Sequence, residues 1–447
     1  MAFSPTDSFM FAPLFRDEEV AAQFSDEQFV RYMLDVEAAL AIAQGRLGVI
    51  PADAAAQIVQ SAAALEIDFV KMQEELDKAG VPVIELVRQL RPRVGGEAAD
   101  FVHWGATTQD IVDTARILQI RAALSVLARV LDQVIDQLAA LADRHRKTLM
   151  AGRTHSQQAL PIPFGLKAAG WLAPLLRHRE RLAEMKPRLL VVQFGGAAGT
   201  LAALGERGTA VQAAMAAELN LNVPLMPWHT QRDTLAELAG WLSLVSGSLA
   251  KMAQDVILLA QSEVGEVRET ADPTRGGSST MPQKSNPIIS ELIIAAARTN
   301  ASLLSGMHQA LIQEHERGTG GWQMEWLTLP QMVALTAVAL RKAAFISGNL
   351  VVNEARMGEN VAASNGLMLA EAVTFALAPA FMSRMEAKAL VKVACLEAFE
   401  NGRHLIDVMQ EKTAVSLDWE KLRDERAYFG VAEAFIDGVL ERAKRKA

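Results

Sequence analysis

Apolar residues return every three or four positions along most of the chain, most plainly at Leu235, Leu238, Trp241, Leu242, Val245, Leu249, Met252, Val256 and Leu259. That spacing places them on one face of a helix, and the stripe predicts a single long helix with a buried face. Residues 110–143 and 327–347 read the same way, with Pro330 expected to kink a helix or start one where it stands. Ala, Leu, Met, Glu and Gln dominate, alternating β-branched runs are scarce and only two tyrosines occur, so strands should be few. The long stretches exceed the roughly 8 to 20 residues of an ordinary helix and are apolar around too much of their circumference to face water alone. They imply an all-α bundle in which partner chains cover the remaining apolar surface.

Two breaks interrupt this pattern. Residues 269–287, ETADPTRGGSSTMPQKSNP, bring Gly, Ser, Thr, Asn and three prolines between strongly helical flanks, and a loop of that length inside a helical protein is expected to have a job. Residues 194–200, FGGAAGT, look like a phosphate loop but lack the preceding strand and the G-x-G-x-x-G spacing, so they read as a tight turn between helices.

With 447 residues, 51% of them hydrophobic and 21% charged, the chain can bury a large core and is expected to divide into two or three domains. Only the Lys/Arg-rich tail should stay unfolded. The net charge is −8 and the basic residues are scattered, which leaves no electrostatic footprint for nucleic acid. The single cysteine, Cys395, excludes an internal disulfide and reads as a buried thiol in a reducing compartment. The first twenty residues lack the basic and apolar regions of a secretory signal, and the longest uncharged run, 189–205, falls short of the roughly 20 apolar residues of a spanning helix. No membrane segment is expected, and the cytoplasm fits.

The 276–287 run, GGSSTMPQKSNP, carries the strongest chemical signal. Gly276 and Gly277 suggest flexibility, Ser278 and Ser279 bring hydroxyls, Lys284 brings a point charge, and Asn286 can cap a helix opened by Pro287. A helix N-terminus, a lysine and an amide together suit a carboxylate, and suit still better the doubly charged aci-carboxylate formed when a proton leaves the adjacent carbon. His145, His178 and His404 read as structural or surface residues. His308 and His315 lack the i, i+4 spacing of a helical zinc pair, so no metal is expected.

The pattern G-S-S-x-M-P-x-K-x-N-P at 277–287 is similar to the signature of the superfamily of fumarase, aspartase, argininosuccinate lyase and adenylosuccinate lyase. The resemblance implies Ser278 as general base on a loop that closes over substrate, with Ser279 beside it and Lys284 and Asn286 on the substrate carboxylate. HWGATTQDIVDT at 103–114 resembles a second superfamily block and implies substrate contacts from His103, Thr107 and Thr108. GRTHSQQALPIPFG at 152–165 resembles a third, with His155 as acid/base and Arg153, Thr154 and Gln157 around it. The implied fold is three-domain and all-α, with segments 1–105, 106–350 and 351–447 and a central long-helix bundle. That bundle is implied to assemble a homotetramer whose active sites each draw on three subunits, without cofactor or metal.

Stretches beginning at Arg188 (RLLVVQFGGAAGTLAALG), at Pro227 (PWHTQRD) and at Gln313 (QEHERGTGGWQMEW) resemble the bacterial 3-carboxy-cis,cis-muconate cycloisomerase branch. This implies intramolecular addition of a carboxylate oxygen across a double bond of a small polycarboxylate, with Gln231 and Arg317 as further substrate contacts. Gln283 and Ser285 stand where that branch commonly has His and Arg, which removes positive charge. A carbon-nitrogen lyase or epimerase acting on an N-substituted aspartate such as iminodisuccinate is the alternative, and an inactive structural relative is a third reading.

Overall fold

A computed structural model describes residues 4–445, and its regular structure is almost entirely helical. Five helices carry the architecture: Thr108–Arg144, Phe164–Leu189, Asp233–Leu259, Ile288–Gln309 and Gly321–Asn349. Three of them contain the stretches read from periodicity and run at most six residues beyond them at either end. Pro330 neither starts nor ends its helix; it lies inside Gly321–Asn349, where it cannot donate a hydrogen bond to the carbonyl one turn back.

Local signals set the shorter elements. Ser25 accepts the Gln28 N–H at 3.2 Å to open the Asp26–Arg46 helix, and Ser383 and Glu386 form a reciprocal capping box on Arg384–Asn401. The described residues include two small antiparallel sheets, one pairing Leu149–Thr154 with Gln157–Pro163 and the other pairing Val267–Arg268 with Val351–Val352.

The chain forms two compact units, each assembled from three stretches. Unit 1 takes residues 1–129, 178–247 and 296–339, and unit 2 takes 130–177, 248–295 and 340–447. In unit 1 a buried polar cluster sits among the helices. Arg232 places its guanidinium against Asp113 at 2.6 Å and Glu325 at 2.5 Å and stacks on Trp228 at 4.8 Å. Burial works against the Arg232 charge, but the two carboxylates outweigh it and hold the pKa above the ordinary arginine value. In unit 2 the C-terminal residues close a core around Leu369, Val373, Leu377, Leu405, Ile406 and Met409. Cys395 packs against that core only half-buried, not fully buried as expected, and partial burial pushes its thiol pKa up.

One other expectation needs correction. The basic tail is helical through Lys444, in Ala432–Lys444, and only its last two residues, 446 and 447, lie outside the described residues. Three helices, Asp233–Leu259, Ile288–Gln309 and Gly321–Asn349, are long and apolar enough to cross a membrane by length and composition.

Candidate active site

The signature loop lies in unit 2 and is pinned at its base. Gly276 accepts from the Asn286 N–H at 2.8 Å and from its side-chain Nδ2 at 3.0 Å, and Gly277 bridges Ser285. Gly276 is not there for flexibility. Its φ is +72°, and a Cβ would stand 2.3 Å from the Asn286 carbonyl oxygen, so this position admits only glycine. Asn286 does not cap the following helix. Glu269, on the far side of the loop, does so by accepting the Ile289 and Ser290 N–H groups at 3.1 and 2.6 Å. The carboxylate-binding end of that helix is thus filled by a protein carboxylate, which ties both ends of the loop together.

Within the loop, Ser278 is partly exposed and its Oγ accepts backbone N–H groups from Thr280 at 3.4 Å and Met281 at 3.2 Å. Two N–H dipoles aimed at a serine oxygen favour its alkoxide form, which a serine base requires. Ser279 and Lys284 are exposed. Lys284 and Asn286 line a cavity of about 700 Å³ with Arg275, Gln283 and Ser285.

The third block forms a β-hairpin in the same unit. Thr154 pairs with Gln157, so His155 and Ser156 alone make the turn, both with positive φ, +48° and +63°. Such a turn matches the strand twist but favours Asn and Gly, and two other residues there mark a site held against local preference. Thr154, His155 and Gln157 are all exposed. Arg153 is not free to meet a ligand with its fork: its two Nη atoms bind the Glu266 oxygens at 2.8 and 2.7 Å, and Asn360 donates to the same carboxylate. Arg153 and Gln157 line a second cavity of about 680 Å³.

The remaining expected residues lie in unit 1. His103 has a φ of +64° and its Nδ1 lies 2.6 Å from Glu37 Oε1. Burial disfavours its charge, but Glu37 outweighs this by charge and hydrogen bond and raises the imidazole pKa. Thr107 and Thr108 open the Thr108–Arg144 helix, and the Thr107 N–H is taken by Asp110 at 3.0 Å. Gln231 is exposed. Arg317 is half-buried rather than a surface residue, and it donates to Gln109 Oε1 at 3.3 Å and to the Gly196 and Ala197 carbonyls at 3.2 and 2.8 Å. It makes no ion pair among the described residues, so its charge is available to a carboxylate.

Sequence reasoning passed over Asp110 and Asp113, which organise this half. Asp110 is fully buried and accepts the Gly195 and Gly196 N–H groups at 2.9 Å each, with His229 Nε2 at 2.8 Å. The FGGAAGT turn therefore spends its amides on an internal carboxylate and is no phosphate loop. Asp113 holds Arg232 and accepts from the Trp322 indole at 2.9 Å. The D-x-x-D spacing was the available signal, since it puts two acids on one helical face. His145 and His178 are buried, and His404 caps Leu405–Lys412 by accepting the Ile406 N–H.

Comparison with known proteins places this arrangement. Residues 16–299 match the family described as Lyase, and residues 366–439 match Adenylosuccinate lyase C-terminus. A 3-carboxy-cis,cis-muconate cycloisomerase of Pseudomonas aeruginosa is 46% identical over 96% of this chain and 95% of its own length. The crystal structure of 3-carboxy-cis,cis-muconate lactonizing enzyme from Pseudomonas putida superposes with a TM-score of 0.92 at 40% identity, covering 98% of this chain and 99% of that one. A fumarate lyase from Mesorhizobium sp. BNC1 superposes with a TM-score of 0.89 at 44% identity, over 96% and 98%. The chain is an enzyme of the fumarase/aspartase superfamily and belongs to its lyase family.

Proposed function

We propose that this enzyme is a 3-carboxy-cis,cis-muconate cycloisomerase. The observation that carries the reading is the 46% identity, over almost the full length of both chains, to a Pseudomonas aeruginosa protein of that name. In the reaction a substrate carboxylate oxygen forms a bond to one end of a carbon-carbon double bond. The π electrons move toward the neighbouring carboxylate as an aci-carboxylate, and a proton delivered to the carbon between them completes the lactone. The reverse order is a β-elimination served by the same groups.

Ser278 exchanges the proton, supported by the Thr280 and Met281 N–H groups that face its Oγ. His155 is its acid/base partner. Lys284, Asn286, Ser279, Thr107, Thr108, His103, Thr154, Gln157, Gln231 and Arg317 bind the carboxylates, while Arg153 acts through its pairing with Glu266, positioning the hairpin that carries His155. No cofactor or metal takes part. The segments 1–105, 106–350 and 351–447 act as three domains, and the central helices assemble a cytoplasmic homotetramer in which three subunits complete each site. Only 33% of the apolar window of Ile288–Gln309 is buried inside this chain, which supports burial against further copies.

Gln283 and Ser285 beside Lys284, standing where the cycloisomerase branch commonly has His and Arg, favour as a second reading an N-substituted aspartate such as iminodisuccinate. The test is the ultraviolet absorbance of 3-carboxy-cis,cis-muconate after adding the purified tetramer. Rapid loss of the conjugated-diene band is expected. A stable band, with iminodisuccinate turned over instead, replaces the cycloisomerase with the carbon-nitrogen lyase.

A further inference from the structure

Unit 1 contains a cavity of about 620 Å³ that includes none of the residues assigned to the reaction. Its wall is aromatic, with Phe24, Phe29, Phe69 and Trp326, and its volume falls in the range of small-molecule sites. Besides the exposed Asp26 and Gln73, two polar side chains enter this lining from one face of the Thr108–Arg144 helix, three residues apart: Arg116 and Gln119.

Both have unmet hydrogen-bonding capacity. Arg116 has no hydrogen bond or ion pair among the described residues, and its guanidinium stands 4.8 Å from the centre of the Phe29 ring and 6.0 Å from that of Phe24. Asp113 and Glu325 are near enough to favour its charge, but their oxygens are engaged by Arg232, Trp322 and Gln109. Burial lowers its pKa to about 10, which leaves it charged at neutral pH. Gln119 is 1% exposed; its Nε2 donates to the Gln23 carbonyl at 2.9 Å, while its Oε1 is buried with no partner. A buried acceptor without a donor is destabilising, so the position calls for a ligand that brings one.

We propose that this cavity binds a small aromatic monocarboxylic acid bearing a ring hydroxyl. The carboxylate pairs with Arg116, the ring packs among the phenylalanines and Trp326, and the hydroxyl donates to Gln119 Oε1. An aliphatic acid would fill the space without the edge and face contacts that aromatic walls reward. A phosphate would find a single guanidinium and leave most of its oxygens unmet.

The test uses the full-length protein with 4-hydroxybenzoate as probe, followed by calorimetry and by quenching of tryptophan fluorescence. Saturable binding of one probe per chain is expected, weakened about tenfold for benzoate, which lacks the donor. Arg116→Met should abolish binding while leaving turnover of the enzyme's substrate unchanged. Val112→Phe, which fills the same cavity and keeps the charge, should also abolish it, in a protein that melts like the wild type. Absence of saturable binding to the wild type overturns the proposal. So does binding that survives either variant, because the probe then sits elsewhere, at the carboxylate clamp of the active site for example.

Discussion

The Glu269 carboxylate accepts the Ser290 N–H at 2.6 Å across the whole signature loop, so the residue that opens the loop also holds the helix that closes it. Glu269→Ala removes a cap worth about 1–2 kcal/mol and releases one end of the loop. A lower melting temperature is expected together with a larger fall in kcat/KM, and faster protease cleavage within 270–285. A variant that melts lower but keeps its kcat/KM would show that the cap does not position the loop.

Gly276→Ala is expected to damage catalysis more than folding. The added methyl meets the Asn286 carbonyl oxygen, and the backbone φ of +72° disfavours alanine. Turnover should fall well below that of Gly277→Ala, where nothing lies within 4 Å of the new methyl, and steady-state kinetics on the pair make the comparison.

Ser278→Ala removes the proposed base. A loss of about 10²–10⁴ in kcat is expected, with substrate affinity by calorimetry largely kept, because the proposed carboxylate contacts lie on other residues. Near-normal turnover would take Ser278 out of the mechanism.

Arg153 and Glu266 form a bidentate pair in which the acid is fully buried. Arg153→Met leaves that buried charge without its counter-charge, with only the Asn360 hydrogen bond remaining, and should destabilise the fold by about 3–5 kcal/mol in denaturant titrations. The double variant Arg153→Met, Glu266→Gln should recover much of the loss. If the double variant is no more stable than the single one, the pair is not the source of the stability.

His103 makes stability depend on pH. Glu37 raises its folded pKa against the opposing effect of burial, with Asp110 adding to the rise and Arg91 opposing it. A raised folded pKa means that protonated His103 stabilises the fold. The contribution is complete below the unfolded value near 6.5 and fades as pH rises through the folded one. The denaturation midpoint of wild type should fall between about pH 6 and pH 9 more than that of Glu37→Gln. Equal slopes in the two proteins would remove this pair as the cause.

The long helices were legible because an apolar residue every three or four positions runs through an internal proline: Pro330 lies within its helix and does not interrupt the stripe. The signature loop was legible because its groups are consecutive in the chain. Contacts made across distance were not. Local rules point to Asn286 as the helix cap, whereas the actual cap, Glu269, lies 21 residues before Ser290 and reaches it only in the folded chain. The pairing of Asp110 with His229, 119 residues on, is of the same kind. The β-hairpin was hidden for another reason: its Leu149–Thr154 strand lacks the alternation of a half-buried strand, being buried along its first three residues.

The hairpin tip has an evolutionary consequence. Holding His155 and Ser156 both in the left-handed region opposes folding by about 1–3 kcal/mol at each residue, a strain that an Asn-Gly pair would largely relieve. Selection for robustness and selection for the proposed acid/base role of His155 therefore pull in opposite directions. With that proposed role, the tip is a place where a lineage freed from catalysis should drift first.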